Sequence, residues 1–413
     1  MSSEWASRSL GEFVRLQRGH DLTASEQRAG SIPVMGSAGP NGTHSEALAK
    51  GPGLVIGRSG ASIGRVHFSE VDYWPHNTCL YVTDFLGNNP RFAYYLLQTL
   101  NLAGYNSGSA QPSLNRNFIY SIRIQLPARC EQDEIAHLLN SLDNRIALLR
   151  ETNATLEAIA QALFKSWFVD FDPVRAKRQG LPPAGMDEAT AALFPDSFEE
   201  SALGLVPKGW SVQPVGDAVE CVGGATPDTK DPSYWSPEEH AWTTPKDLSG
   251  LPAPVLLSTE RRLSTKGVAK IGSGLLPVGS LLMSSRAPIG YLAIAQLPVA
   301  INQGYIAMPP GSLLPPLYML FWCRQNMEGI KARANGSTFM EISKKAFRPI
   351  PALVPSSPAI EAFLAVASPL FARLVSNEQQ AQSLATIRDT LLPRLISGQL
   401  RLPEALAEVE EAA

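Results

Sequence analysis

The sequence is poor in the features that signal disulfide bonds, zinc sites and membrane spans. Its 413 residues include 4 cysteines, and Cys79, Cys130, Cys221 and Cys323 stand far apart with no CxxC pair. This spacing indicates reduced thiols. No uninterrupted apolar run approaches the length of a membrane span, and the N-terminus lacks the basic start and apolar core of a signal peptide. We therefore expect a cytoplasmic protein with no membrane association.

Catalytic signatures are also scarce. The sequence contains no GxxxxGK[ST] phosphate loop, no HExxH and no [DN]PP[FYW] tetrapeptide of amino-methyltransferases. Asp196, Glu199 and Glu200 faintly resemble a nuclease carboxylate set, but no lysine completes it, and the 6 histidines show no ligand spacing. We therefore expect no catalytic residues and no metal site in this chain.

The charge balance gives two opposing signals. The net charge is −3 at pH 7, which argues weakly against nucleic-acid binding. Residues 1–128 and 206–355 nevertheless each carry a small excess of Lys and Arg, while the acidic excess lies between and after them. Two mildly basic globules fit a nucleic-acid binder. A random scatter of surface charge explains the same pattern.

The longest regular pattern in the chain is helical. Residues 130–170 contain no Pro and no Gly, and apolar side chains recur at steps of 3 and 4. This spacing predicts the a/d seam of a coiled coil with one stutter, and at 1.5 Å per residue the helix spans ~60 Å. The residues predicted to lie on or beside the seam are Ile135, Leu138, Leu142, Ile146, Leu149, Asn153, Leu156, Ala160, Leu163, Trp167 and Phe168.

The chain repeats one plan twice. In the first copy, short apolar runs punctuated by Gly, Pro and Asn predict the strands of a mixed or antiparallel sheet. Gly209-Trp210 echoes Glu4-Trp5, and residues 281–290 echo residues 54–64. An insertion in the second copy is expected around residues 228–251. The predicted segments are 1–128 (first globule), 129–171 (first helix), 172–206 (connector), 207–355 (second globule), 356–400 (second helix) and 401–413 (acidic tail).

The second predicted helix carries a seam at the repeat positions of the first. Its seam includes Leu370, Leu374, Asn377, Leu384 and Leu391, and Pro369 and Pro393 are expected to kink or break it. The repeat partner of Asn153 is Ala381, so a buried amide at Asn153 is predicted to be unmatched and to fix the register.

Two helices with one seam most simply pack on each other, although each helix packing on its own globule is an alternative. The predicted fold is α+β. Two similar mixed α/β domains are joined by two long helices that form an antiparallel coiled-coil spacer, with a pseudo-twofold internal repeat.

Polar loops occur at matching positions of the two copies. They combine Arg or Lys with Asn, Gln, Ser and Thr, the side chains that hold phosphates and read base edges. The DNA-binding candidates are Arg58, Ser59, Ser62, Arg65, Asn77, Gln111, Asn115, Arg116 and Asn117 in the first copy, and Arg286, Asn302, Gln303, Tyr305, Lys331, Arg333, Ser337, Thr338, Lys344 and Lys345 in the second. The glycine-rich segment 57–64 allows either a backbone phosphate cradle or a tight turn between strands.

Long motifs in the same order resemble the specificity (S) subunit of type I restriction-modification systems. They are Leu126-Pro127, Glu131-Gln132 and Ile135-Ala136, the run LFKSWFVDFDP at residues 163–173, PKGW at 207–210, and IRDTLLPRLISG at 387–398. The resemblance covers nearly the whole chain.

The resemblance implies a non-catalytic subunit that recognises DNA for defence against foreign DNA. Two target recognition domains each read one half of a bipartite double-stranded target, and the two helices set the gap between half-sites. Two modification subunits would supply SAM-dependent adenine methylation, and restriction subunits would supply ATP- and Mg-dependent translocation and cleavage, so no cofactor is expected in this chain.

Three other readings of the sequence stay open. The first is a recognition subunit of a related defence or modification system with other partners. The second is a self-contained DNA methyltransferase, and the third is a scaffold built on a coiled coil that binds no DNA.

Overall fold

The computed structural model describes residues 5–106, 113–336 and 340–412. Within these ranges the α-helices are α1 (Leu10–Phe13), α2 (Pro90–Thr99), α3 (Arg116–Ile119), α4 (Arg129–Phe168), α5 (Asp172–Arg178), α6 (Glu188–Ala192), α7 (Val215–Ala218), α8 (Pro245–Leu248), α9 (Thr265–Val268), α10 (Pro316–Gln325), α11 (Met327–Lys331), α12 (Lys344–Phe347), α13 (Ser357–Ile396) and α14 (Leu402–Ala412).

The β-strands are β1 (Ala6–Ser9), β2 (Arg15–Arg18), β3 (Ile32–Gly36), β4 (Gly39–His44), β5 (Gly53–Gly57), β6 (Val66–Ser69), β7 (Trp74–Pro75), β8 (Cys79–Asp84), β9 (Arg123–Leu126), β10 (Phe198–Ser201), β11 (Gly204–Pro207), β12 (Ser211–Pro214), β13 (His240–Thr243), β14 (Val255–Leu256), β15 (Arg261–Leu263), β16 (Leu281–Ser284), β17 (Leu292–Ala295), β18 (Val299–Ile301), β19 (Tyr305–Met308) and β20 (Pro351–Val354).

Contacts divide the chain into two compact units. Unit 1 consists of Met1–Ala147 and Gln382–Ala413, and unit 2 consists of Leu148–Ala381. The long helices α4 and α13 therefore each contribute one part to each unit.

Unit 1 is built on a four-stranded sheet with the order β2-β8-β5-β6. All five residues of β5, with the sequence GLVIG, are buried, as expected for a central strand of apolar and small residues. A three-stranded sheet, β4-β3-β7, and the pair β1-β9 complete the unit. Helix α2 covers the sheet. Its start is fixed by Asn89, whose side chain accepts hydrogen bonds from the N–H groups of Arg91 and Phe92, and by Pro90 at the first helical position.

Unit 2 repeats this topology. Strands β19, β16 and β17 pair in the same order and sense as β8, β5 and β6, and β13 pairs with β18 in parallel as β3 pairs with β7. The β12–β20 pair corresponds to β1–β9. The predicted α+β fold with an internal repeat is confirmed.

The extra length of unit 2 lies later in the chain than the sequence suggested. Strand β13, at residues 240–243, falls inside the predicted insertion but corresponds to β3 of unit 1. A tight turn joins β3 to β4, whereas residues 244–260, which carry α8 and β14, join β13 to β15. Strand β14 adds to the sheet beside β17. The comparison of the two sequence copies misplaced the insertion because β13 and β3 have the same pairing pattern but little sequence similarity.

The parts of α4 and α13 pack antiparallel within each unit. In unit 1, Asp143 of α4 pairs with Arg388 of α13 at 2.6 Å. Glu131, near the start of α4, pairs at 2.9 Å with Arg401, which follows the end of α13, so the two helices run in opposite directions. In unit 2, Asn153 contacts Asn377, and Phe164 packs against Phe363 at a centroid distance of 5.8 Å. The predicted antiparallel pairing of the two helices is confirmed within each unit.

Neither proline interrupts α13. The helix runs unbroken through Pro369 and Pro393, so the predicted break is wrong. Both prolines are exposed, as are Ala365 and Asp389 one turn earlier. Water can therefore hydrate the carbonyl groups that each proline leaves without an N–H partner.

Helix α13 is also apolar enough, by its length and composition, to be a candidate membrane span. Its most apolar 18-residue window has a mean hydropathy of 1.5, and 28% of that window is buried. In unit 2, Ala359, Ile360, Phe363 and Ala367 from this helix lie in the core. Uninterrupted apolar runs in the sequence do not reveal this window, because polar residues are spaced through it.

The connector and the tail both fold. The connector forms α5, α6 and the β10–β11 hairpin, and its Val174, Phe194 and Val206 are buried in the unit 2 core. The acidic tail forms α14, where Glu408 makes a two-pronged ion pair with Arg394. Glu408 of the tail thus binds a basic residue of the same unit.

Candidate nucleic-acid interface

Four polar segments of unit 1 converge on one cavity of about 590 Å³. The segments are the end of β2 with the residues that follow it, the residue after β5, the start of β8, and residues 113–117. Its lining residues are Gln17, Arg18, Gly19, His20, Asp21, Arg58, Leu80, Ser113, Leu114, Asn115, Arg116 and Asn117. The structure thus brings together four predicted DNA-binding candidates, Arg58, Asn115, Arg116 and Asn117.

Backbone contacts hold these segments in place. The N–H of Leu114 donates to the carbonyl of Arg58 at 2.8 Å, and Ser59 and Ser113 form an isolated β-bridge. The Arg58 guanidinium donates to the carbonyl of Asn77 at 3.4 Å. A DNA strand that enters the cavity therefore meets donors fixed by the fold.

Two of the candidates also have structural tasks. Asn115 caps α3 by accepting from the N–H of Asn117 at 3.0 Å, and Arg116 donates to the carbonyl of Leu16 at 2.7 Å. Both remain exposed. The Arg65 side chain is also exposed and makes no hydrogen bond or ion pair with the described residues, which suits a phosphate contact.

The charge of this cavity is mainly positive. Arg18, Arg58 and Arg116 face one carboxylate, that of Asp21. A hydrogen bond from the Asn77 side chain and the nearby Arg18 lower the pKa of Asp21, so Asp21 is ionised at neutral pH. Arg18 forms an ion pair with Asp21 at 3.0 Å. Arg58 and Arg116 therefore remain to attract phosphate.

The segment at residues 57–64 is a tight turn. A 3-10 turn spans Gly60–Ser62, and the N–H of Gly64 donates to the carbonyl of Gly57 at 2.8 Å. Gly60 and Gly64 have positive φ angles of 74° and 78°, which favour glycine. Gly57, Arg58 and Gly64 donate their N–H groups to backbone carbonyls, and the segment forms the tight turn of the two alternatives.

Corresponding loops meet in unit 2. The N–H of Ser285 donates to the carbonyl of Gly304 at 2.8 Å. Arg286 and Glu341 form an isolated β-bridge through their backbones and an ion pair of 3.7 Å through their side chains. Asn302 accepts from the N–H of Gly304, and the exposed Gln303 accepts from Thr226 Oγ1 at 2.7 Å. Arg286 and Lys331 line one cavity of about 780 Å³.

The prediction is wrong at Tyr305. This side chain is buried in the core, and its hydroxyl contacts Thr243 Oγ1 at 3.0 Å. Burial raises the pKa of Tyr305, as expected for a phenol shielded from water. All four residues of β19 are buried, and the polar residues that precede Tyr305 in the sequence gave no sign of this burial.

The remaining candidates differ in how freely they face solvent. Lys331, Arg333, Lys344 and Lys345 are exposed, whereas Ser62 and Asn77 are half-buried. Gln111, Ser337 and Thr338 lie outside the described residues. Sequence reasoning missed Gln17, Arg18 and His20, which line the unit 1 cavity. Their position at the end of a short strand was the available signal, but that strand was not predicted.

Most predicted seam residues are buried within the chain. Leu142, Ile146, Leu149, Asn153, Leu374 and Leu391 are buried, and Leu156, Leu163, Leu370 and Leu384 are half-buried. Trp167 and Phe168, also predicted on or beside the seam, lie in the core of unit 2. Trp167 packs against Phe194, Phe168 packs against Trp210, and both contact Phe363 of α13.

Two similar units with convergent polar loops define a class of protein, and comparison with known proteins identifies that class. A model of the type I restriction modification DNA specificity domain matches the chain twice, over residues 2–158 and 207–380. Because these matches cover most of the chain, the chain belongs to this family, and the predicted resemblance to type I specificity subunits is confirmed.

Individual relatives agree with this assignment. The type I restriction enzyme MjaIX specificity subunit of Methanocaldococcus jannaschii is 34% identical over 189 residues, or 45% of this chain and 43% of that protein. The HindI specificity subunit of Haemophilus influenzae is 26% identical over 358 residues, or 75% of this chain and 77% of that protein. The chain thus spans less than half of the first relative and about three quarters of the second.

A solved structure shows the same fold. The S subunit of a type I restriction-modification system from M. genitalium has a TM-score of 0.61 over 96% of this chain and 96% of its own, at 16% identity. At this identity the likeness concerns the fold alone.

Proposed function

We propose that this chain is the DNA-recognition subunit of a type I restriction-modification enzyme. Unit 1 reads one half of a bipartite double-stranded target and unit 2 reads the other. The observation that carries the proposal is the duplicated topology, in which the turn after β5 and the turn after β16 each meet a second polar loop. Two similar reading surfaces in one chain fit a target of two half-sites.

The individual loops supply the two kinds of contact that sequence recognition needs. Arg58, Arg65 and Lys344 provide cations for phosphate, and Asn117, Asn302 and Gln303 provide amides for base edges. As part of this proposal, the two target recognition domains span residues 1–128 and 207–355. The spacer helices span residues 129–171 and 356–400, and the connector spans residues 172–206.

The chemistry would belong to partner subunits. We propose two modification subunits that methylate adenine with SAM, and restriction subunits that use ATP and Mg to move and cut DNA. The chain itself would be non-catalytic and cytoplasmic, with no cofactor and no membrane partner. A recognition subunit of a related system with other partners shares these features, and the subunits that co-purify with the chain distinguish the two.

Methylome sequencing of host cells with and without the gene tests this function. We expect a bipartite adenine methylation motif that disappears when the gene is deleted and returns when it is restored. Deletion of an unrelated gene is the control. A methylome that does not change on deletion contradicts the proposal.

A domain exchange tests the assignment of one unit to each half-site. Replacing residues 1–128 with the corresponding segment of a relative of different specificity should change one half-site and leave the other intact. The matched control replaces residues 207–355 and should change the opposite half-site. If either exchange alters both half-sites, the assignment is wrong.

A further inference from the structure

Unit 2 carries a cluster of cations held on aromatic rings. Arg261, on β15, lies with its guanidinium carbon 3.6 Å from the ring centroid of Trp235 and 5.4 Å from that of Trp242. The two indoles pack edge to face at 5.2 Å. Trp242 is buried and its Nε1 donates to the carbonyl of Ala225, so the platform under Arg261 is fixed.

Two lysines extend this cluster. Lys266 Nζ lies 5.2 Å and Lys270 Nζ 5.7 Å from the ring centroid of Tyr234. Lys266 also donates to Ser233 Oγ at 2.7 Å. We call Arg261, Lys266, Lys270 and their rings Tyr234, Trp235 and Trp242 the cation–aromatic cluster.

The cations of the cluster form no close ion pair. Among the described residues no Asp or Glu oxygen lies within 4.0 Å of the charged nitrogens of Arg261, Lys266 or Lys270. The carboxylate of Asp231 attracts Lys266 and Lys270 from beyond that distance and is itself engaged by the N–H and hydroxyl of Ser233. Stacking holds the face of the Arg261 guanidinium against Trp235, which leaves its N–H edge free to donate to an anion.

The cluster is continuous with the candidate reading loop of unit 2. Thr226 donates to Gln303, and the N–H of Ala225 donates to the carbonyl of Ile301, next to Asn302. The chain then runs from Thr226 to Trp235, whose Nε1 donates to the carbonyl of Asp228 at 3.0 Å. The segment 225–235 therefore joins the Gln303 loop to the cluster.

Unit 1 has a different arrangement at the corresponding place. Strand β4, which corresponds to β15, has the sequence GPNGTH without Lys or Arg. Near it, Arg28 is paired with Glu46 at 3.6 Å. The two units therefore differ in charge at this place as well as in chain length.

We infer that the cation–aromatic cluster binds the phosphate backbone of DNA beside the base pairs that unit 2 reads. The inference rests on the proposed function and goes beyond it, since it assigns unit 2 a sequence-independent contact that unit 1 does not share. DNA presents phosphates in a row, and a guanidinium edge and two ammonium groups each bind phosphate oxygens. Because these contacts do not touch bases, they strengthen binding without changing the sequence that is read.

The test uses the full-length chain assembled with its methyltransferase subunits. One variant combines Arg261→Gln, Lys266→Gln and Lys270→Gln, and a matched control combines Arg28→Gln, Lys50→Gln and Arg129→Gln, three cations that have carboxylate partners. Binding is measured between 50 and 300 mM salt to a duplex with the methylated motif and to a scrambled duplex of equal length. Circular dichroism verifies folding. Lys266→Gln and Lys270→Gln alone spare the Trp235 stack if the triple variant does not fold.

We expect the cluster variant to bind both duplexes at least about tenfold more weakly near 150 mM salt, with an unchanged ratio between them. The slope of log K against log salt should fall by about 0.9 for each DNA phosphate that the variant no longer neutralises. Affinity and slope equal to those of the control variant, with specific binding retained, overturn the inference and leave the proposed function standing. Loss of methyltransferase subunits at unchanged DNA slope also overturns it and indicates an acidic protein partner. A wild-type complex with no preference for the motif overturns both proposals.

Discussion

Asn377 donates a hydrogen bond from Nδ2 to Oδ1 of Asn153 over 2.9 Å, and both side chains are buried. Asn153 in turn donates to the carbonyl of Leu374 at 3.3 Å. The amide predicted to be unmatched therefore has a partner. Helices α4 and α13 both have 40 residues, so Asn153 corresponds to Ala381 and Asn377 to Leu149. The repeat positions of the two asparagines thus hold apolar residues, so the amide pair breaks the symmetry of the repeat.

The first prediction concerns this amide pair. Asn153→Ala and Asn377→Ala should each lower the free energy of unfolding by about 1–3 kcal/mol, because each leaves a buried amide without its partner. The double variant should be destabilised by less than the sum of the two, by about 1 kcal/mol. Denaturant unfolding of the full chain measures all three. Asn144→Ala, at an exposed position of α4, is the control, and strict additivity would show that the two amides are not coupled.

The second prediction is a pH dependence of stability at Glu378. This carboxyl group is buried, its Oε2 has no hydrogen-bond partner among the described residues, and burial raises its pKa although Arg150 opposes the shift. An acid whose pKa is higher in the folded state binds more protons there than in the unfolded chain. Its contribution to stability is therefore full at low pH and is lost as the pH rises through the folded pKa.

The Glu378→Gln variant should accordingly gain stability over the wild type as the pH rises from about 4.5 towards 8, since glutamine does not ionise. Thermal unfolding at a series of pH values measures the difference. Glu361→Gln, at an exposed position of α13, should show no such gain. A pH-independent difference for Glu378→Gln would place the effect in packing.

The third prediction concerns the helices as a ruler. Inserting four helix-forming residues after Ala147 and four after Ala381 lengthens each helix by about 6 Å. Because DNA rises about 3.4 Å per base pair, the gap between half-sites should grow by one or two pairs. Methylome sequencing reads the gap directly. Insertion in one helix only should mismatch the pair and abolish methylation, and an unchanged gap after the double insertion would remove the ruler role.

The fourth prediction separates base reading from phosphate binding. Gln303→Ala should relax one position of the unit 2 half-site, with a loss of about 1–3 kcal/mol for the preferred base pair. Arg65→Ala should weaken binding to all sequences alike and reduce the salt slope by about 1. Competition binding with single-substitution duplexes measures both. Gln296→Ala, in unit 2 away from the loops, is the control, and a Gln303→Ala complex with unchanged preference at every position would contradict base reading.

Much of the architecture was predictable from local patterns. Helical periodicity without Pro or Gly predicted α4 over residues 130–170, and the structure has it at Arg129–Phe168. Apolar runs predicted β3, β5, β6 and β8, which are buried strands. Strands β2, β4 and β7 were not predicted because they are short, polar or contain proline. Their pairing partners, rather than their own sequences, hold them in the sheets.

The candidate interface was predictable in kind and less so in detail. Arg58 and Asn117 were found because polar residues cluster between strands, and both line the unit 1 cavity. Arg18 was missed because strand β2 was not predicted, and Tyr305 was misjudged because its burial depends on how the sheet packs in the core. The cation–aromatic cluster was missed because Arg261 and Trp235 are distant in sequence and meet only when β15 pairs with β13.

By itself, the sequence determined that this protein repeats one α/β plan, carries two long helices with a shared seam, and presents polar loops at matching places. These features follow from periodicity and turn chemistry, which act over a few neighbouring residues. The tertiary structure alone decided that Asn153 pairs with Asn377, 224 residues away, that Tyr305 faces inward, and that the insertion follows β13. Contacts between distant segments depend on how whole elements pack, and no local pattern records that packing.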